Sequence, residues 1–350
     1  MDAATANRDI VVIGASAGGV EALMSLLPRL PCDLPAAVFV CMHLGATSHL
    51  QQVLGRSSSL PVVGATAGAK IERGTIYVAV PGVHMLLHAD HILLRRGPRE
   101  NQARPAIDPL FRSAALTFGG RVIGVVLSGL LSDGTAGLRA IKRCGGLAIV
   151  QDPEEASAPS MPRSALRYVK VDHVRRIADM AELLAALVRQ PAAPTPDIIP
   201  LDIRLETAIA AQELSDMKAD DMLGKPSRFT CPECHGALWE IHDGELLRYR
   251  CHVGHAYAAE DMLSLQGREI DRLLGTLLRS HQERAALARR MAEQEKAKGF
   301  TRLAAILEQR ANDYEEDATL VHGLIRDGGH SPEVLTSGQE EMPLDEEQRR

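Results

Sequence analysis

The stretch DIVVIGASAGG (Asp9–Gly19) decides the fold of this chain. A continuous apolar run, Ile10–Ile13, leads into a glycine-rich turn, and helical spacing of apolar residues follows from about Gly19 to Leu30. An unbroken apolar run before a helix reads as a strand buried on both faces, and such strands belong to parallel sheets. The pattern recurs downstream. Ala36–Met42 (AAVFVCM) and Val122–Leu127 (VIGVVL) are further buried strands, with Leu147–Gln151 after them and shorter runs at Thr75–Val80 and His91–Leu94. Helical spacing returns over Asp108–Leu116 and Gly134–Arg143. The expectation is an α/β fold, doubly wound around a mostly parallel sheet.

Within the turn, Gly14-Ala15-Ser16-Ala17-Gly18 has the Gly-x-Ser-x-Gly pattern of a nucleophile elbow in the strand–turn–helix context that motif requires. A sharp turn crowds the backbone, and Gly14 and Gly18 remove side chains there. Ser16 then projects from the carboxyl edge of the sheet, beside the N–H groups of a helix start. A plain turn in which Ser16 caps the helix is the alternative, and a dinucleotide turn is another. The latter wants glycine where Ser16 stands and an acidic residue near the end of the second strand, where residues 34–42 hold none.

Two other strand ends carry matching chemistry. His43 follows Ala36–Met42, and Asp133 follows Val122–Leu127 in SGLLSDGT (128–135). In a parallel sheet all carboxyl ends share one edge, so Ser16, His43 and Asp133 can meet as nucleophile, base and orienting acid. The chain order Ser, His, Asp disfavours the α/β-hydrolase fold. Cys41, inside its apolar run, reads as a core thiol.

These motifs together resemble the catalytic domain of the chemotaxis protein-glutamate methylesterases, the CheB type, over residues 8–188. The resemblance rests on IGASAGG (13–19), MHLGATSHL (42–50), VAVPGVHMLL (78–87), RPAIDPLFRSAA (104–115), LSGLLSDGTAGL (127–138) and QDPEEASAPSMPRSAL (151–166). It implies a Ser16-His43-Asp133 esterase that acts on γ-glutamyl methyl esters of chemoreceptors, with glutamine deamidation in some members. It implies an oxyanion hole from the backbone of Ala17 and Leu130, Arg104 as a candidate substrate contact, and no cofactor for catalysis. Three local departures stand out. Ala17 and Met42 replace the usual Thr and Gln, and Leu130-Leu131 replace Met and Gly, which matters if position 131 needs a positive φ. The family's chemotaxis members also carry a receiver domain ahead of the catalytic one. With the first strand near residue 9, this chain leaves no room for it, so regulation by aspartyl phosphorylation in cis is not expected.

The rest of the chain differs in character. Residues 1–190 hold 20 of the 39 Lys+Arg and 15 of the 45 Asp+Glu, a net +5, which leaves −11 for residues 191–350 and −6 overall. That balance disfavours a partner read through phosphates, so no nucleic acid is expected. Four prolines in QPAAPTPDIIP (190–200) mark a linker over 189–202, and an amphipathic helix is expected over 203–227. Over 228–257, Cys231-Pro-Glu-Cys234 and Cys251-His-Val-Gly-His255 flank a hairpin turning at Asp243-Gly244. Two such knuckles suit a zinc-ribbon-like module with a structural Cys3His site from Cys231, Cys234, Cys251 and His255. His252 is the rival for the fourth position and His235 a weaker one. Residues 258–327 read as a helical hairpin broken near Gly299, a candidate surface for a homodimer, and 328–350 as a disordered acidic tail.

Length and composition fit this plan. The chain has 350 residues, and 45% of them are apolar, enough for two or three domains and against global disorder. Six scattered or metal-like cysteines are no disulfide framework, no apolar stretch spans a membrane, and no signal peptide is present, so a reducing cytoplasm is expected. Two rival classes remain. One is a non-catalytic signalling adaptor on the same fold, and the other a dinucleotide-binding oxidoreductase.

Overall fold

The computed structural model describes residues 6–43, 45, 48–213 and 224–327. Within them the chain forms two compact units, one running to Asp261 and one from Met262 to Asp327.

The first unit is built on seven parallel strands: β1 (Ile10–Ala15), β2 (Ala37–Met42), β3 (Val62–Gly64), β4 (Ile76–Val78), β7 (Val122–Val126), β8 (Leu147–Gln151) and β9 (His173–Arg175). Their spatial order is β3-β4-β2-β1-β7-β8-β9, with every pair parallel. The chain winds outward from β1 to one side and then returns to its other side at β7. That reversal between β1 and β7 is the topological switch point, where ligand sites form at the carboxyl edge.

Both faces of the sheet are covered, and β1 shows why its sequence is apolar throughout. Ile10 and Val12 face one core with α3 (Ile107–Phe118), α4 (Thr135–Arg143) and α5 (Ser160–Tyr168). Val11 and Ile13 face another with α1 (Gly19–Leu26), α2 (Leu50–Gly55) and α6 (Ile177–Leu187). The doubly wound parallel architecture is therefore present.

His91–Leu94 has a different place from the other apolar runs. It lies in β6 (His91–Arg95), which pairs antiparallel with β5 (His84–His88) outside the main sheet. The proline-rich segment runs extended but close to the domain. Ala192 N–H donates to Ala6 O at 2.9 Å, and Gly120 N–H to Thr195 Oγ1 at 3.1 Å.

The segment expected as one amphipathic helix over 203–227 divides. α7 spans Leu201–Ala210, and the chain turns away through Gln212 at φ 60°. Residues 214–223 lie outside the described residues, and Lys225 already begins a strand. Four antiparallel strands follow: β10 (Lys225–Thr230), β11 (Ala237–Asp243), β12 (Leu246–Cys251) and β13 (Ala256–Ala258). The β11–β12 turn pairs Asp243 with Leu246 across Gly244 (φ 62°) and Glu245, a short loop that glycine makes accessible.

A buried ionic cluster fixes this small sheet to the parallel one. Glu206 of α7 accepts hydrogen bonds from Arg248 (2.9 Å) and Arg250 (3.2 Å) of β12. Arg112 of α3 donates to Glu100 at 2.6 and 2.7 Å, and Arg250 lies 3.2 Å from the same carboxylate. Burial opposes charge on Glu206, but Arg248, Arg112 and Arg250 hold its carboxyl far below the usual carboxylate range.

α8 (Ala259–Ala297) and α9 (Thr301–Asp327) form the expected helical pair, joined through Gly299 at φ 87°. In the second unit Arg289 pairs with Glu315, and Arg284 stacks over the Tyr314 ring at 4.0 Å. Residues 328–350, read as a disordered tail, lie outside the described residues.

Candidate active site and metal centre

At the carboxyl edge, Ser16 follows β1, His43 follows β2 and Asp133 follows β7. The elbow needs its glycines. A Cβ on Gly14 would come within 2.4 Å of the Ile107 side chain. Gly18 has φ +72°, and a Cβ there would meet Ser128 Oγ and Ser157 Cβ at 2.7 Å. The turn is stapled to the strand beyond: Ser16 N–H donates to Ser128 O (2.9 Å), and Ser128 Oγ–H to Ala17 O (2.7 Å).

The three side chains expected to meet do so. Ser16 Oγ lies 3.0 Å from His43 Nδ1, and His43 Nε2 lies 2.6 Å from Asp133 Oδ2. An ionised Asp133 accepts Nε2–H, which leaves Nδ1 free to accept the serine proton. This is the opposite use of the two ring nitrogens from the serine-protease template.

The Asp133 carboxylate is densely held. Oδ2 also accepts Ile107 N–H (2.8 Å). Oδ1 accepts Asn101 Nδ2–H (2.8 Å), Asp108 N–H (3.1 Å) and Gly134 N–H (2.9 Å). Ile107 and Asp108 open α3, so Asp133 acts as the anion at that helix N-terminus. Burial by itself would raise the carboxyl's pKa, but His43 and these donors hold it below the usual range. For His43, burial disfavours charge. The hydrogen bond and negative charge of Asp133 outweigh it, with Asp108 and Asp261 adding, and the imidazole pKa is raised. Asp108 is pushed upward by burial and by neighbouring Asp133.

Ala17 follows Ser16 in the turn after β1, and Leu130 lies in the loop between β7 and α4. Their backbone N–H groups have no acceptor among the described residues. Leu130 is 48% exposed, and Leu131 adopts φ +65°, the left-handed conformation glycine would take freely. Arg104 takes no part in the cluster. Its guanidinium donates to Gly97 O at 2.9 Å, within a loop that His84 also braces through Pro98 O (2.8 Å). Cys41 is fully buried in the core, as its apolar setting foretold, and burial raises its thiol pKa well above normal. The sequence reading missed Asn101. Its φ of 49°, a region asparagine tolerates better than most residues, has no short-range signature.

The second cluster joins Cys231, Cys234, Cys251 and His255, whose ligand atoms all lie within 4.8 Å of one another. Cys234 and Cys251 sulfurs are 3.7 Å apart, and His255 Nδ1 is 3.6 Å from the sulfurs of both Cys231 and Cys251. Four ligands at ~2.3 Å around tetrahedral zinc would set sulfurs ~3.8 Å apart, so the donor set fits. His255 Nε2 faces Glu233 at 3.6 Å, the outer carboxylate that metal-bound histidines use. His252 is exposed and packs edge-on to Trp239, and His235 is exposed too, so neither belongs to the quartet.

The family model described as CheB methylesterase matches residues 11–184. A provisionally named protein-glutamate methylesterase/protein-glutamine glutaminase of Leptospira interrogans is 39% identical over 184 residues, covering 52% of this chain and 95% of the relative. The chain belongs to the CheB methylesterase family. A Symbiobacterium thermophilum protein-glutamate methylesterase/protein-glutamine glutaminase is 36% identical, but the match spans only 51% of its length. The crystal structure of the Thermotoga maritima CheB methylesterase catalytic domain matches with a TM-score of 0.50 at 33% identity, over 51% of this chain and 98% of that one. The family places the chain among ester hydrolases. The Cys/His quartet lies beyond the matched CheB residues.

Proposed function

We propose that this protein is a serine-type protein-glutamate methylesterase that hydrolyses γ-glutamyl methyl esters of a chemoreceptor-like protein, with glutamine deamidation as a second reaction. The observation that carries the reading is the hydrogen-bonded chain Ser16–His43–Asp133 at the sheet's switch point. His43 Nδ1 takes the Ser16 proton as Oγ attacks the ester carbonyl. The N–H groups of Ala17 and Leu130 receive the oxyanion. The same proton passes to the leaving methoxide oxygen, and methanol departs. Water then loses a proton to His43 and attacks the acyl-enzyme, which frees the glutamate carboxylate and restores Ser16. With a glutamine side chain the leaving group is ammonia. A purely non-catalytic adaptor gives no reason for these three polar side chains to be aligned.

Zinc in the Cys231, Cys234, Cys251, His255 quartet would be structural, since four protein ligands leave no open position. It would hold the two knuckles of the four-stranded sheet and take no part in ester hydrolysis. The exposed Leu273, Leu277, Leu320 and Leu324 of the helical pair support a homodimer through this surface, which sedimentation of the full chain would test.

The deciding experiment is methanol release from methylated chemoreceptor membranes, native protein against Ser16→Ala. Release by the native protein only is expected. Equal release by both would remove Ser16 from the mechanism.

A further inference from the structure

The loop that carries the proposed oxyanion donor is anchored firmly at its ends. At its start, Gly129 N–H donates to Ala158 O and Met161 N–H to Gly129 O, both at 2.9 Å. At its end, Asp133 is held by five donors. Between them sit Leu130 and Leu131, the latter at φ 65°, a left-handed conformation unfavourable for any side chain with a Cβ. A strained residue persists only when its surroundings over-determine it.

What holds the middle comes from outside the matched CheB residues. Ser132 Oγ–H donates to Asp261 Oδ2. Asp261 lies in the first turn of α8, only 3% exposed. Its neighbour Glu260 accepts from Tyr168 Oη–H (2.8 Å) and Arg167 (3.1 Å) of α5. A second tie runs from the small sheet. Asn101 N–H donates to Ala256 O of β13 at 2.8 Å, while its amide reaches Asp133 and Asp108.

We infer that Asp261 is a positioning residue for the esterase: it clamps Ser132 and so keeps the Leu130 N–H aimed at the oxyanion. The segment after the catalytic domain thereby becomes part of the active site. This rests on the esterase reading above, and two readouts separate the two ideas.

The test compares full-length native protein with Asp261→Ala, Asp261→Asn and Ser16→Ala. The first readout is methyl-ester hydrolysis, resolved into kcat and KM. Asp261→Ala should lower kcat about tenfold, a fraction of the ~100-fold or more that losing an oxyanion donor outright costs, with KM within about twofold. Asp261→Asn, which keeps an acceptor for Ser132, should recover part of it. The second readout is amide hydrogen exchange of residues 129–134, which needs no activity. Faster exchange there in Asp261→Ala, with the rest of the sheet still protected, supports the clamp. Unchanged exchange overturns it. So does unchanged kcat in Asp261→Ala while Ser16→Ala is dead, a result that leaves the esterase standing. If the native protein is inactive, the esterase reading falls with the oxyanion role built on it.

Discussion

His43 Nε2 lies 2.6 Å from Asp133 Oδ2, between residues ninety positions apart in the chain. The pairing exists because β1 separates β2 from β7 in the sheet and all three end on the same edge. It also sets the proton inventory of the site, since a charged Asp133 fixes which nitrogen of His43 faces Ser16.

That pairing predicts an acid limb in the pH–rate profile above the ordinary histidine value. His43 must be neutral to accept the Ser16 proton, and its pKa is raised by Asp133 against the opposing effect of burial, with Asp108 and Asp261 also facing it. Activity should therefore rise with pH through this shifted pKa. A kcat/KM profile between pH 5 and 9 measures it, and a limb below the ordinary value would contradict the assignment.

Asp133→Asn should cut kcat by ~10⁴, as loss of the orienting acid does in related triads. It removes the largest charge favouring protonated His43. The residual activity should thus show its acid limb moved to lower pH. NMR titration of the His43 ring checks the shift independently of turnover.

The Cys231, Cys234, Cys251, His255 quartet predicts one zinc per chain by elemental analysis. Cys251→Ser should lose the metal, and the loss should lower Tm, because the quartet draws its ligands from both knuckles of the four-stranded sheet. A native protein free of metal after expression in zinc-supplemented medium would count against the site.

Glu206→Gln should be among the most destabilising single changes in the chain. It strips the carboxylate from between Arg112, Arg248 and Arg250 and leaves buried charge uncompensated. Losses of ~3–5 kcal/mol are the usual scale for removing one partner of such a cluster. Urea denaturation measures it, and a loss below 1 kcal/mol would show that the cluster relaxes freely.

Leu131→Gly should stabilise the protein by up to ~1 kcal/mol, since glycine adopts φ +65° without the clash that a branched side chain meets. The same change should loosen the loop, so stability and kcat are expected to move in opposite directions. Thermal unfolding alongside kinetics would reveal it.

The sheet, the elbow and the residues of both side-chain clusters were legible in the sequence, because each depends on local pattern. A buried parallel strand must be apolar throughout, as Ile10–Ile13 is. A tight elbow must have glycine at 14 and 18, and zinc-type ligands come in pairs from short knuckles such as Cys231–Cys234. The antiparallel β5–β6 pair is not legible in the sequence, because a short apolar run such as His91–Leu94 carries no record of its partner. The helix expected over 203–227 ends at Ala210, because helix ends depend on single residues such as Gln212 at φ 60°.

By itself the sequence determined the parallel α/β core and the residue types gathered at its edge. Side-chain chemistry and strand polarity are local properties, and parallel strands bring their ends to one side. Only the tertiary structure decided that Asn101 and Asp261 reach that edge, that His255 rather than His252 completes the quartet, and that His43 faces Ser16 through Nδ1. Those relations join segments up to 129 residues apart across loops, where the partner is set by how the packed elements meet and not by any spacing along the chain.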